Sequence, residues 1–244
     1  MSVMTSPARI SVLASGGGSN LQALIDHFAG PAASAGIITF VASERAEAGA
    51  LDRARAAGIA TGVIDAPLDS DAILSLLDTA KTDVLVLAGY LKLVPKDVVR
   101  AFRGRLLNVH PSLLPSFGGP GMYGMRIHQA VLDHGATLTG VTVHFVDEHF
   151  DRGPIIAQWP VPVLPGDEAT LLAVRVLRAE HRLLPLCVAA VASGAIVLGE
   201  DDRVHGHLDI PVSVHAPEWR FALAADAPGP SAAFSTDVAR LFPR

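Results

Sequence analysis

The sequence is poor in cysteine and has no excess of basic residues. Cys187 is the single cysteine among 244 residues, which excludes an internal disulfide framework and a cysteine-based metal cluster. Lysine and arginine number 19 against 24 aspartates and glutamates, for a formal net charge of -5. Proteins that bind nucleic acid or membrane surfaces normally present a basic stripe, so we expect neither partner here. Any anionic ligand must therefore be held locally.

Targeting and membrane-spanning patterns are also missing. Residues 1–9 lack a charged region followed by an apolar run, so we expect no secretory signal. The longest apolar region, residues 171–192, is interrupted by Arg175, Arg178, Glu180, His181 and Arg182. Such charges favour a helix packed on a core over a membrane span. A cytoplasmic protein is the simplest interpretation.

Apolar runs alternate with helical patterns along most of the chain. We predict strands at residues 9–14, 37–42, 61–64, 83–88, 105–107, 138–146, 155–159 and 195–198. We predict helices at about 21–28, 46–57, 71–80, 95–102, 127–134 and 167–192. This alternation predicts an α/β, Rossmann-like open sheet that is mostly parallel and has helices on both faces. Composition changes after residue 199, so we assign 1–199 to one main domain and 200–244 to a C-terminal extension of uncertain order.

A glycine-rich loop follows the first predicted strand. Gly16, Gly17 and Gly18 allow close backbone approach to a ligand, and Ser19 and Asn20 can cap the following helix. Free N–H groups at a helix N-terminus form a natural phosphate cradle. The loop lacks the Gly-Lys-Ser/Thr ending of a Walker loop and the full dinucleotide fingerprint, so it favours a single phosphate. A plain capped turn is the structural alternative.

Polar side chains follow the strand predicted at residues 105–107. Asn108 and His110 come where we expect this strand to end, and Pro111 and Pro115 keep the next residues extended. Ligands of open α/β sheets bind at the carboxyl ends of strands, which makes this amide and imidazole candidate site residues. The alternative is a buried pair that only satisfies loop backbone.

Further candidates surround the strand predicted at residues 138–146. His144 lies inside it, either as a core histidine or in a catalytic role. Asp147, His149 and Asp151 follow without fixed helical spacing and without a second histidine-rich motif, so we expect no metal there. Acid–base or orienting work is our interpretation of Asp151, with a turn-capping carboxylate as the alternative. Glu180, within an apolar helix, must be paired, exposed or in contact with a ligand.

Four segments occur in the order of one known family. They are residues 15–22 (SGGGSNLQ), 107–115 (LNVHPSLLP), 139–148 (TGVTVHFVDE) and 151–156 (DRGPII). Together they resemble the phosphoribosylglycinamide formyltransferases, folate-dependent enzymes of purine synthesis, over about residues 9–199. The resemblance implies the formyltransferase fold for a catalytic domain at 1–199. It also implies transfer of a formyl group from 10-formyltetrahydrofolate, the co-substrate, to the amine of glycinamide ribonucleotide, by direct amine attack and without metal.

The resemblance also implies roles for individual residues. Asn108 would hydrogen-bond the formyl oxyanion, His110 would assist in charge stabilisation and proton movement, and Asp151 would orient His110 and help to remove the amine proton. Glu180 would contact the ribose or amine end of the substrate, and His144 is a supporting candidate. The phosphate would bind at Gly17, Gly18, Ser19 and Asn20. The folate slot would be lined by Leu91, Lys92, Leu93, Val94, Val146 and Asp147.

The sequence departs from the usual family pattern in places. The loop at residues 117–124 is longer and richer in glycine, and Arg152 replaces a usually small residue. Lys92 stands where arginine is frequent, and lysine keeps the charge but loses the planar fork.

Other activities use the same transfer chemistry. A formyltetrahydrofolate hydrolase would use water in place of the amine, and we expect it to carry a further domain ahead of the glycine loop. Other folate-dependent formyltransferases act on methionyl-tRNA or on sugar nucleotides, and the first should carry an added basic domain. A non-catalytic folate- or nucleotide-binding protein is the alternative of a different class. We expect small-molecule partners and a monomer or homodimer.

Overall fold

The computed structural model describes residues 6–64 and 69–208. Its strands are β1 (Ala8–Leu13), β2 (Gly36–Ser43), β3 (Ala60–Val63), β4 (Val84–Leu87), β5 (Leu106–His110), β6 (Leu138–Phe145), β7 (Ile155–Pro162), β8 (Ile196–Leu198) and β9 (Val204–Gly206). Its α-helices are α1 (Ser19–Phe28), α2 (Gly49–Ala56), α3 (Ser70–Thr79), α4 (Lys96–Ala101), α5 (Met125–Asp133) and α6 (Ala169–Ala192), and a 3₁₀ helix covers Pro31–Ser34. The predicted alternation of elements is therefore confirmed, with ends that shift by a few residues.

Seven strands form one sheet in the order β3-β2-β1-β4-β5-β6-β7. The first five strands are parallel to one another, and β6 is antiparallel to both β5 and β7. Because crossovers between parallel strands are right-handed, this strand order puts α1 and α2 on one face and α3 and α4 on the other, and the two helices of each pair contact each other. Helix α6 contacts α1, α5 and strands β4 to β7. The predicted α/β, mostly parallel sheet with helices on both faces is confirmed.

The central strands are covered on both faces. All four residues of β4 are buried, which is why its sequence is continuously apolar. On one face α3 and α4 pack on the strands through a cluster that includes Ile73, Leu77, Val98, Leu85 and Leu106. This packing fixes the strand ends from which the site residues project.

Strand β5 is longer than predicted, and the expectation that it ends at residue 107 is wrong. Its parallel ladder with β4 ends at Asn108, but its antiparallel ladder with β6 pairs Asn108 with His144 and His110 with Thr142. Because β6 supplies these partners, the strand continues to His110 beyond its apolar run. Asn108 and His110 are two residues apart in a strand, so they share one face of the sheet.

The N-terminus of α1 also differs from the prediction. Ser19 and Asn20 do not cap the helix; they are its first residues, and Gly18 holds the cap position with φ 74° and no side-chain hydrogen bond. A Cβ added at Gly18 would lie 2.6 Å from Cα of Ala50, so α2 also requires glycine here. The Asn20 side chain instead donates a hydrogen bond to Glu180, a buried residue of α6.

A hairpin crosses the boundary predicted at residue 199. Strand β9 pairs with β8, so residues 204–206 belong to a small antiparallel ladder. Most of the predicted extension, from residue 209 onward, lies outside the described residues. Within the described ranges, no helix has the length and apolar character needed to cross a membrane.

Candidate active site

A cavity of about 640 Å³ lies at the carboxyl edge of the sheet, beside the ends of β4 and β5. This volume is typical of sites for small molecules. Its wall includes these predicted residues: Asn20, Leu91, Lys92, Leu93, Val94, Asn108, His110, His144, Val146, Asp151 and Glu180. Gly17, Gly18, Ser19 and Asp147 are not part of the wall, although Gly17 to Ser19 directly precede Asn20. The structure therefore brings most of the predicted site residues together.

Asn108 is held by His144 on the neighbouring strand. Nδ2 of Asn108 lies 3.1 Å from Nε2 of His144, and Nδ1 of His144 lies 2.8 Å from the carbonyl oxygen of Phe145. A carbonyl only accepts, so Nδ1 carries the proton and Nε2 accepts from the Asn108 amide. Burial lowers the pKa of His144, which agrees with this neutral ring. One N–H of Asn108 is thus fixed, which orients the other.

His110 is buried between a loop carbonyl and a carboxylate. Its Nε2 lies 2.8 Å from the carbonyl oxygen of Phe117 and therefore donates to it. Its Nδ1 lies 3.5 Å from Oδ1 of Asp151. In the neutral ring Nδ1 carries no proton, so this atom can accept one beside the carboxylate.

Asp151 is positioned by the turn that follows β6. Its backbone adopts φ 55°, its Oδ2 accepts the N–H of Gly119 at 2.9 Å, and its Oδ1 lies 3.8 Å from Nε2 of His144. Gly153 packs so closely against the end of β6 that a Cβ added to it would lie only 1.8 Å from the Phe145 carbonyl oxygen. Glycine at this position therefore allows the turn to lie against β6. The turn and the loop at residues 117–124 together position the Asp151 carboxylate.

Asn20 and Glu180 form a second polar pair in the cavity wall. Nδ2 of Asn20 donates to Oε2 of Glu180 at 2.5 Å, and both residues are buried. Burial raises the pKa of Glu180, and the hydrogen bond from Asn20 acts in the opposite direction. Oδ1 of Asn20 is buried and has no hydrogen-bond partner among the described residues. A ligand donor in the cavity would satisfy this oxygen.

The acidic turn does not gather metal ligands. Oδ1 of Asp147 accepts the N–H of His149 at 2.8 Å and so caps the turn, whereas Asp151 faces His110. Within residues 6–64 and 69–208, no group of three or more histidine, cysteine, aspartate or glutamate side chains is arranged to hold a metal ion.

The cavity wall also contains residues that were not predicted. Tyr90 is buried, its hydroxyl has no hydrogen-bond partner within residues 6–64 and 69–208, and burial raises its pKa to about 12. His128 on α5 is buried, and its Nδ1 has no hydrogen-bond partner in the part of the chain that the structure describes. Burial lowers the pKa of His128, and the nearby His110 lowers it further. Tyr90 follows the end of β4, so the strand-end rule could have identified it. His128 lies within an amphipathic helix and gives no comparable signal.

Comparisons with known proteins show the family of this chain. The formyl transferase family model matches residues 8–188. The trifunctional purine biosynthetic protein adenosine-3 of Bos taurus is 46% identical over 83% of this chain, which spans only 20% of that protein. The phosphoribosylglycinamide formyltransferase of Escherichia coli (strain K12) is 39% identical over 79% of this chain and 91% of its own length. A crystal structure of phosphoribosylglycinamide formyltransferase from Anaplasma phagocytophilum matches with a TM-score of 0.76 and 37% identity, covering 84% of this chain and 97% of that chain. This chain belongs to the formyl transferase family.

Proposed function

We propose that this chain transfers the formyl group of 10-formyltetrahydrofolate to the amine of glycinamide ribonucleotide in purine biosynthesis. The observation that carries the proposal is the meeting of Asn108, His110 and Asp151 in one cavity, with Oδ1 of Asp151 3.5 Å from Nδ1 of His110. The protein would act in the cytoplasm on small molecules alone, as a monomer or homodimer, with neither metal nor nucleic acid.

Asn108 would stabilise the charge that develops during attack. As the amine nitrogen bonds to the formyl carbon, the formyl oxygen becomes an oxyanion. The Asn108 amide is already held by His144 at 3.1 Å, so its second N–H can meet this charge without reorganisation. Such a preorganised donor accounts for roughly 10²- to 10³-fold in rate.

His110 and Asp151 would move the proton. The attacking amine must lose a proton, and N10 of the folate must gain one as it leaves. Nε2 of His110 is committed to the Phe117 carbonyl, so Nδ1 would accept the amine proton and pass it to N10. The Asp151 carboxylate would stabilise the intervening imidazolium. The amine attacks directly, so no acyl-enzyme nucleophile is needed; burial of Cys187 raises the pKa of its thiol and keeps it unreactive.

The remaining predicted residues would bind the two substrates. The loop formed by Gly17, Gly18, Ser19 and Asn20 would hold the phosphate at the start of α1. The Asn20–Glu180 pair presents acceptor oxygens for the ribose or amine end of the nucleotide. The folate ring would enter the slot formed by residues 91–94, Val146 and the Asp147 turn. Holding amine and formyl carbon together would supply much of the rate.

Mixing the purified protein with both substrates tests the proposal. Deformylated folate is followed by its absorbance, with and without glycinamide ribonucleotide. We expect turnover that requires the nucleotide. Equal turnover without it would identify a hydrolase, and no turnover with both substrates would reject the proposed activity.

A further inference from the structure

The glycine loop is docked on the first turn of α2. The carbonyl of Gly16 accepts the N–H of Ala50 at 3.0 Å, and the carbonyl of Gly17 accepts Nε–H of Arg53 at 2.7 Å. The contact is close, because an added Cβ at Gly49 would lie 3.3 Å from Cα of Gly17. Two consecutive loop carbonyls are therefore bonded to one helix.

These bonds decide where the loop N–H groups point. In a trans peptide the C=O and the following N–H point in opposite directions. Because the carbonyls of Gly16 and Gly17 face α2, the N–H groups of Gly17 and Gly18 face away from it. Neither N–H donates to any part of the chain that the structure describes. Successive outward N–H groups beside a helix N-terminus form a concavity that suits an anion.

Arg53 is itself oriented by α1. Its Nη1 donates to Oε1 of Gln22 at 3.2 Å, and Nε2 of Gln22 donates to Oδ1 of Asp26 at 2.8 Å. The side chain is exposed, so it is not needed to fill the core. This chain of hydrogen bonds places the guanidinium so that Nε reaches the Gly17 carbonyl.

We infer that Arg53 is a positioning residue for the phosphate-binding loop. Its bond to the Gly17 carbonyl turns that oxygen away from the anion and so aims the Gly18 N–H at it. Without this bond the peptide of a glycine-only segment can rotate and present its carbonyl to the phosphate. The inference rests on the proposed function, in which this loop binds the phosphate of glycinamide ribonucleotide.

Steady-state kinetics of Arg53→Met, with Arg55→Met as control, test the inference. Arg55 is also exposed on α2 and pairs only with Asp52, at 2.9 Å, among the contacts seen in the described ranges, so both variants lose one positive charge. Loss of a charge-assisted hydrogen bond predicts that Arg53→Met raises KM for glycinamide ribonucleotide on the order of tenfold. Its kcat and its KM for the folate should stay within about twofold, and Arg55→Met should resemble the wild type. An unchanged KM in Arg53→Met, or an equal rise in Arg55→Met, would overturn the inference.

Inorganic phosphate provides a readout that does not depend on turnover. We expect phosphate to raise the Tm of the wild type and of Arg55→Met, and to raise that of Arg53→Met much less. If the wild type binds phosphate but does not transfer the formyl group, the proposed function is rejected. A smaller phosphate effect in Arg53→Met would then still support the role of Arg53 in positioning the loop. If phosphate stabilises all three proteins equally, the positioning role of Arg53 is rejected, but the proposed function is not.

Discussion

Replacing Asp151 by asparagine isolates the charge of this carboxylate. Asparagine has the same size, tolerates the φ of 55° at this position, and can still accept the Gly119 N–H through its amide oxygen. The variant loses the negative charge 3.5 Å from Nδ1 of His110. Two unit charges at that separation interact by about 5 kcal/mol at an effective dielectric constant of about 20. We therefore expect kcat to fall by roughly 10³- to 10⁴-fold.

Asp202→Asn is the matched control for this variant. Asp202 also adopts a left-handed backbone, with φ 57°, but it pairs with Arg103 at 2.6 Å and does not line the cavity. Folate absorbance gives kcat, and thermal unfolding shows whether each variant folds. We expect Asp202→Asn to keep wild-type turnover and both variants to unfold within about 1 kcal/mol of the wild type. A folded Asp151→Asn that retains more than about a tenth of wild-type kcat would remove this carboxylate from the mechanism.

Three further substitutions test the packing of the Asp151 turn and the proposed roles of Glu180 and Asn108. Gly153→Ala places a Cβ 1.8 Å from the Phe145 carbonyl oxygen, so we expect a loss of about 1–3 kcal/mol in unfolding free energy and a clear fall in kcat. Unchanged thermal unfolding would contradict this reasoning. Burial raises the pKa of Glu180 above 4.5, so the folded protein binds this proton more tightly and loses stability as pH rises from 4.5 through the raised value. Glu180→Gln has no such proton to lose, so its Tm relative to that of the wild type should increase as pH rises. We also expect its KM for the nucleotide to increase. A Tm difference that does not change with pH would contradict this reasoning. Asn108→Ala removes the proposed oxyanion donor, and we expect kcat to fall about 10²- to 10³-fold with little change in either KM. A variant that loses only affinity would assign Asn108 to binding.

The fold could be predicted because its signals are local. The continuous apolar run of β4 reports burial on both faces, and the glycine loop marks the passage from β1 to α1. The end of β5 could not be predicted in this way, because its last residues are paired with β6, about thirty-five residues later in the chain. Ladder partners that are distant in sequence extend a strand beyond its own apolar residues.

The candidate site shows the same division. Asn108, His110 and Asp151 belong to the ordered motifs, and Glu180 stood out as a charged residue in an apolar helix; these four residues line one cavity. Local propensity misassigned the Asn20 side chain to helix capping, whereas it bonds to Glu180, 160 residues away. Arg53 gave no signal in the sequence, because its bond to Gly17 exists only once α2 is docked on the loop. The roles of the site residues stay predictions until the variants are measured.

The most direct measurement follows the formyl carbon itself. Supplying 10-formyltetrahydrofolate with a ¹³C-labelled formyl group, together with glycinamide ribonucleotide, allows each product to be quantified by mass spectrometry and NMR. We predict one labelled N-formyl glycinamide ribonucleotide for every tetrahydrofolate released, because the amine attacks in the cavity formed by Asn108, His110 and Asp151. Labelled formate in its place would show that water is the nucleophile and would contradict the proposed transfer.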